Sequence, residues 1–262
     1  MKTEECPDSK SRVRTIPEIF EGIKSNRKNC WSVIGDLENL TDEGKSKMLK
    51  DNPDWIARLL DNGTISKEEL LHHGLARQVE PNQTIESGFW IVEGVTVNQS
   101  RGYCIAYSGA VVNQSGGKIH AYSGVVVNQS NGDCDAHSGA TVNQSGGHCS
   151  ALSGAVVNHS EGNCDAFSGA TVNQSGGHCS ILEGAIVNQS EGYCYACFGS
   201  VINQSGGDCI AYSGSVINQS GGDCIAYSGA VVNQSGGYCD AYSGVVANQS
   251  SKGGKINWVD II

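Results

Sequence analysis

The chain has 262 residues, with 17 Lys and Arg against 27 Asp and Glu, a net charge of −10. The charge is uneven: residues 1–80 hold 13 cations and 15 anions, whereas residues 81–262 hold 4 and 12. So few cations over so long a stretch argue against a nucleic-acid partner, because that affinity rests on Lys and Arg contacts; the net of −8 also falls far short of the roughly 30 charges of a DNA mimic of this length.

Met1-Lys2-Thr3-Glu4-Glu5-Cys6-Pro7-Asp8 lacks the apolar core of a signal peptide, and no segment is long and apolar enough to span a bilayer. The expected setting is a reducing cytoplasm, of the producing cell or of a host cell, with no membrane partner. Residues 1–14 are charged and are expected to form a flexible tail.

A small helical domain is expected over residues 15–76. Thr15-Ile16-Pro17-Glu18 is a capping box with Pro in the first turn, followed by an apolar stripe of Ile16, Ile19, Phe20 and Ile23. Trp31, Ile34, Leu37 and Leu40 suggest a second short helix. A third begins at Thr41-Asp42-Glu43, with Met48 and Leu49 inward. A fourth begins at Asn52-Pro53 and carries Trp55, Ile56, Leu59 and Leu60 up to Gly63. Ser66-Lys67-Glu68-Glu69 is a second capping box and opens a last helix that stops near Gly74.

Asn62-Gly63-Thr64-Ile65-Ser66-Lys67-Glu68-Glu69 resembles the second half of an EF-hand calcium loop, with its glycine, isoleucine and closing glutamate in place. The first and third ligand positions implied by that resemblance fall on Arg58 and Leu60, which offer calcium no oxygen. A plain helix-turn-helix is the expectation, and no metal or other cofactor is assigned.

Residues 77–93 read as a capping coil, since Phe89-Trp90-Ile91-Val92 is a large apolar strand where the regular coils have small residues. From Gly94 a fifteen-residue unit repeats eleven times; its plainest copy, Gly199–Ser213, recurs unchanged at Gly214–Ser228. In every copy the first place is Gly, the fifth Asn and the seventh Ser. The ninth is Gly except at Lys252. The eleventh is Cys except at Ile119 and Gly254, and the thirteenth is Ala except at Ile181 and Ile256.

Fifteen residues are too few for two packed helices but suffice for one turn of a parallel β-solenoid. The expected fold is therefore mainly β, a single-chain solenoid of about eleven coils over residues 94–250, preceded by the all-α domain and closed by a C-terminal cap at 251–262. At 4.8 Å per coil the rod measures roughly 50 Å.

Alternation in the second strand turns Cys and Ala inward and leaves the varied places outward. Stacking then makes a thiol column rather than disulfides, because a bridge needs Cβ atoms about 3.8 Å apart, closer than the coil spacing. It also makes an amide ladder of Asn98, Asn113, Asn128, Asn143, Asn158, Asn173, Asn188, Asn203, Asn218 and Asn233. The Asn-x-Ser triplets match the glycosylation pattern, but sugars on these amides would prevent the ladder.

Two outward features are candidate interaction surfaces. Place fourteen carries Tyr107, Tyr122, Tyr212, Tyr227 and Tyr242, either a binding row or structural stacking. Asp133, Asp135 and Asp165 form an acidic patch. His148 and His178 occupy one place two coils apart, roughly 9.6 Å by the coil spacing, too far to share a metal ion.

The expected function is a non-enzymatic, acidic, Tyr-rich repeat scaffold that binds a protein partner, as an effector or an assembly component. An end-to-end homodimer through Trp258, Val259, Ile261 and Ile262 is an additional partner expectation. Ice binding is an alternative: the period resembles the coil of some insect antifreeze families, whose outward Thr rows are matched here only by Thr96, Thr141 and Thr171. A looser likeness links the Gly-Gly and Asn-rich repeats to autotransporter adhesins, without their export signal. A polysaccharide-active enzyme is a third reading, although no nucleophile with an oriented base is evident.

Overall fold

The computed structural model describes residues 12–25, 40–250 and 253–259. The chain divides into two compact units, with the boundary between Gln78 and Val79.

In the first unit, α1 (Ile16–Ser25) starts from the expected reciprocal cap. The Thr15 amide donates to Glu18 Oε2 at 2.7 Å, and Ile16, Ile19, Phe20 and Ile23 are buried. α2 (Asp42–Asp51) is capped by Thr41, and α3 (Pro53–Asp61) buries Trp55, Ile56, Ala57 and Leu59. α4 (Lys67–His72) carries the Ser66–Glu69 capping box. Met48 and Leu60 are half-buried rather than fully inward. The helix suggested by Trp31, Ile34 and Leu37 lies outside the described residues, as does most of the N-terminal tail.

The EF-hand likeness resolves into ordinary packing. Glu69 is buried, and both its oxygens accept hydrogen bonds from the Arg14 side chain, at 2.6 and 2.8 Å, while the Ser66 amide donates to Oε2 at 2.9 Å. Burial works against its charge, but these donors outweigh it and hold the carboxyl below the ordinary range. A carboxylate so engaged is a structural pin.

The second unit is a parallel β-solenoid of about 12 coils. Partners lie fifteen residues apart: Val111 pairs with Val126, Asn143 with Asn158, and Cys149 with Cys164. Each coil has one strand over places three to six and another over places ten to thirteen. In copies from Thr141 to Ala196 the strand assignment runs through the intervening Ser-Gly-Gly stretch as well. Side chains at places two, four, six, eleven and thirteen are buried, so the core is a narrow seam of Ala, Val, Gln, Cys and Ala stacked on their own kind.

The glycine at place nine is dictated by the stack. Gly147 has φ +75°, and a Cβ there would lie 2.5 Å from the Gly132 carbonyl oxygen of the coil below. The turn therefore needs both left-handed backbone and an absent side chain.

The ends depart from the regular count. Thr84 pairs with Asn98 and Phe89 with Tyr103, so the first coil is fourteen residues long. At the other end Tyr238 pairs with Lys255, Cys239 with Ile256 and Ala241 with Trp258, an offset of seventeen. This corrects the letter alignment of the last copy. Two extra residues fall after Gln249, and Ile256 and Trp258, not Gly254 and Ile256, continue the Cys and Ala columns. Ser251 and Lys252 lie outside the described residues.

Candidate functional site

Longitudinal columns of like residues run along the solenoid, and the most regular is the amide ladder. Each Asn Nδ2 donates to the Oδ1 of the Asn one coil earlier, in ten consecutive bonds of 2.9–3.1 Å from Asn98 to Asn248. The column faces solvent. Beside it the Ser hydroxyls at place seven donate to the preceding coil, as Ser130 Oγ does to the Gln114 carbonyl at 3.2 Å. Between the two columns runs a shallow groove of about 640 Å³.

A buried polar column was not anticipated. Gln occupies place six in ten copies, on the inward side, and from Gln99 to Gln234 the column is almost fully buried. A buried amide is tolerable only when bonded. Gln114 Nε2 donates to the Gly117 carbonyl of its own coil at 3.1 Å and to the Asp133 carbonyl of the next at 2.8 Å, and the pattern recurs along the rod. These bonds stitch the Gly-Gly turns together.

The exception at this place is His159, only 1% exposed. Its Nδ1 lies 2.8 Å from Gln144 Oε1, and its Nε2 has no well-aligned partner. Desolvation pushes its pKa down to about 4. The same-side alternation of Gln with the buried Val at place four was the signal that could have placed this column inside.

The thiols fill the opposite wall, where nine cysteines from Cys104 to Cys239 are buried and free, as the stacking argument requires. Burial pushes the Cys104 and Cys194 thiols well above their ordinary range, which suppresses the reactive thiolate. Cys197 is half-buried at the corner.

The aromatic row at place fourteen forms stacks. Tyr107 and Tyr122 have ring centroids 5.2 Å apart and planes 8° apart; Tyr212, Tyr227 and Tyr242 continue the motif at 5.3 and 4.9 Å. Tyr212 is the exposed member, at 43%, and the other four are half-buried.

The charged candidates separate into pairs. His148 Nε2 lies 3.1 Å from Asp165 Oδ2, both side chains about 40% exposed, a geometry that contributes little stability. Asp135 lies beside Lys118 and His120, and Asp133 stands in register with His148. His178 contacts the Tyr193 ring and is not brought to His148. A recess of about 300 Å³ sits further along this face, with Tyr193, Asp208, Asp223, Tyr238 and Asp240 in its lining.

One coil breaks the pattern of the outward places. In Gly184–Phe198, place twelve is Tyr195, 40% exposed, and place fifteen is Phe198, 62% exposed, where eight other copies have Ser. Phe198 lies against Gly214, its ring carbons 2.7 Å from where a Cβ would stand. Tyr193 and Tyr195 meet edge to face at 4.7 Å, and desolvation together with the Tyr195 hydroxyl pushes Tyr193 up to about 12.

No helix among the described residues is long and apolar enough to cross a membrane. No family model, curated protein or solved structure matches this chain.

Proposed function

We propose that this protein is a non-enzymatic scaffold whose solenoid binds a protein partner. The observation that carries this reading is the break at Gly184–Phe198. A rod that repeats its small and polar residues so faithfully exposes Phe198, Tyr195 and Tyr212 on consecutive coils. Exposed aromatic side chains grouped on a rigid backbone suit a binding surface, because they offer large contact area at little entropic cost. Glu183, Glu191 and Asp208 belong to the preceding, the same and the next coil, so the matching partner surface is apolar with a basic rim.

The test uses the full chain and two substitutions that install residues standing at the same places elsewhere, Phe198→Ser and Tyr195→Ser. Both variants should fold, and each should weaken capture of the partner from native lysate by at least tenfold. Undiminished capture by both variants overturns the reading.

The ice-binding alternative has less behind it, since place three carries Thr at Thr96, Thr141 and Thr171 and otherwise Val or Ile. For self-association, the favourable feature is the last strand. Trp258 sits over Ala241 yet is 58% exposed, and with Val259 it forms the end-to-end contact in this reading. Ile261 and Ile262 lie outside the described residues.

A further inference from the structure

We propose that His120 and His137 form a zinc-binding site on adjacent coils of the solenoid. His120 stands at place twelve of one coil and His137 at place fourteen of the next, so the β-stack itself brings them together. His120 Nδ1 and His137 Nε2 are 3.2 Å apart. Two imidazole nitrogens bound to one tetrahedral zinc at 2.0–2.1 Å are separated by about 3.3–3.4 Å. The pair therefore spans nearly the edge that the ion requires, without rearrangement of either coil.

Both rings are held in place. Tyr103 stacks on His120 with centroids 5.5 Å apart, and Tyr122 stacks on His137 at 4.3 Å. His120 is 8% exposed, so little freedom remains to it.

The far side of His120 is also furnished. Its Nε2 lies 3.1 Å from Asp135 Oδ2, a bent contact, and Lys118 Nζ lies 3.5 Å from the same oxygen. A carboxylate beside Nε2 favours the tautomer with its proton there, which leaves the Nδ1 lone pair to face His137. In the metal-free protein a hydrogen-bonding proton lies between the two facing nitrogens. Zinc takes its place, with the His137 proton moving to Nδ1. Imidazole nitrogens in this arrangement favour zinc among the common divalent ions of cells over calcium or magnesium, which prefer oxygen. The metal's remaining positions take water or other oxygen ligands. The site is separate from the Phe198 patch, so its failure would leave the scaffold reading untouched.

The experiment is a calorimetric zinc titration of the full chain, with cobalt as a spectroscopic substitute. The expected result is one saturable ion per chain and a visible cobalt spectrum of tetrahedral intensity. Two variants use residues already found at these places in other coils, His120→Ser after Ser150 and His137→Tyr after Tyr122. Each should keep the fold, read as an unchanged far-ultraviolet circular dichroism spectrum, and lower zinc affinity at least tenfold. Asp135→Ser should lower it roughly tenfold through the lost orientation of His120. The double variant His148→Asn, His178→Asn should bind as the parent does. Absence of saturable binding overturns the proposal, as does binding that survives both His120→Ser and His137→Tyr or disappears in the His148, His178 double variant.

Discussion

His159 shows how much a single letter matters inside a seam only one side chain wide. Glutamine at this place is neutral at every pH, whereas an imidazole takes up a proton in acid. The folded protein lowers the His159 pKa from 6.5 to about 4, so the unfolded chain binds the proton more readily. Stability is then fully present above pH 6.5 and declines as pH falls towards 4, by about 3 kcal/mol over that window. His159→Gln restores the residue found in the other ten copies, and it should remove this contribution. In urea denaturation at pH 4.5 the variant should exceed the parent by about 2–3 kcal/mol more than it does at pH 7. Equal differences at the two pH values would show that His159 is not the group responsible. The sequence revealed the unvarying Asn column readily. It revealed the Gln column poorly, because a polar residue reads as outward unless the parity of its place is followed through the strand.

Elements are set here by the coil turns as much as by strand propensity. Gly147 and Gly63 have similar left-handed backbones, φ +75° and +71°, but nothing lies within 4 Å of a Cβ at Gly63, whereas Gly147 faces the backbone of the preceding coil. Gly63→Ala should cost about 1 kcal/mol, from conformation alone. Gly147→Ala adds the steric overlap and should cost at least about 3 kcal/mol, or prevent folding, as measured by thermal or urea denaturation. Comparable losses from the two variants would refute the stacking account of the place-nine glycine. The repeat's strands, inward Cys and Ala, and helix caps were legible because each follows from local pattern and spacing. The fourteen-residue first coil and the seventeen-residue last one were not. A coil closes wherever its strands find register, and extra residues in a turn leave the pattern of letters almost undisturbed.

At the scale of the molecule, the acidic repeat unit and its regular faces define what the proposed partner would meet. The charged candidates were only partly legible: Asp135 and Asp165 read as one patch, and His120 stands in register with Asp135 one coil before it, but His148 reaches Asp165 from a different place in the repeat, which stacking like on like does not pair. The aromatic row was visible as letters, while its division into stacked Tyr pairs and an exposed Tyr212–Phe198 region required coordinates. The proposed end-to-end association makes a further prediction. Light scattering at micromolar concentration should give twice the chain mass, and Trp258→Asp should return the protein to one. A parent chain that is already monomeric would rule out that association.

The twin units Gly199–Ser213 and Gly214–Ser228 are interchangeable in both sequence and register. Excising one would join surfaces identical to those that were parted, shortening the rod by about 4.8 Å while preserving every kind of neighbour contact. Length in this protein is therefore a quantity that unequal exchange between copies can adjust in whole steps. The Phe198-bearing coil is the opposite case, a unique landmark whose loss no duplicate can make good.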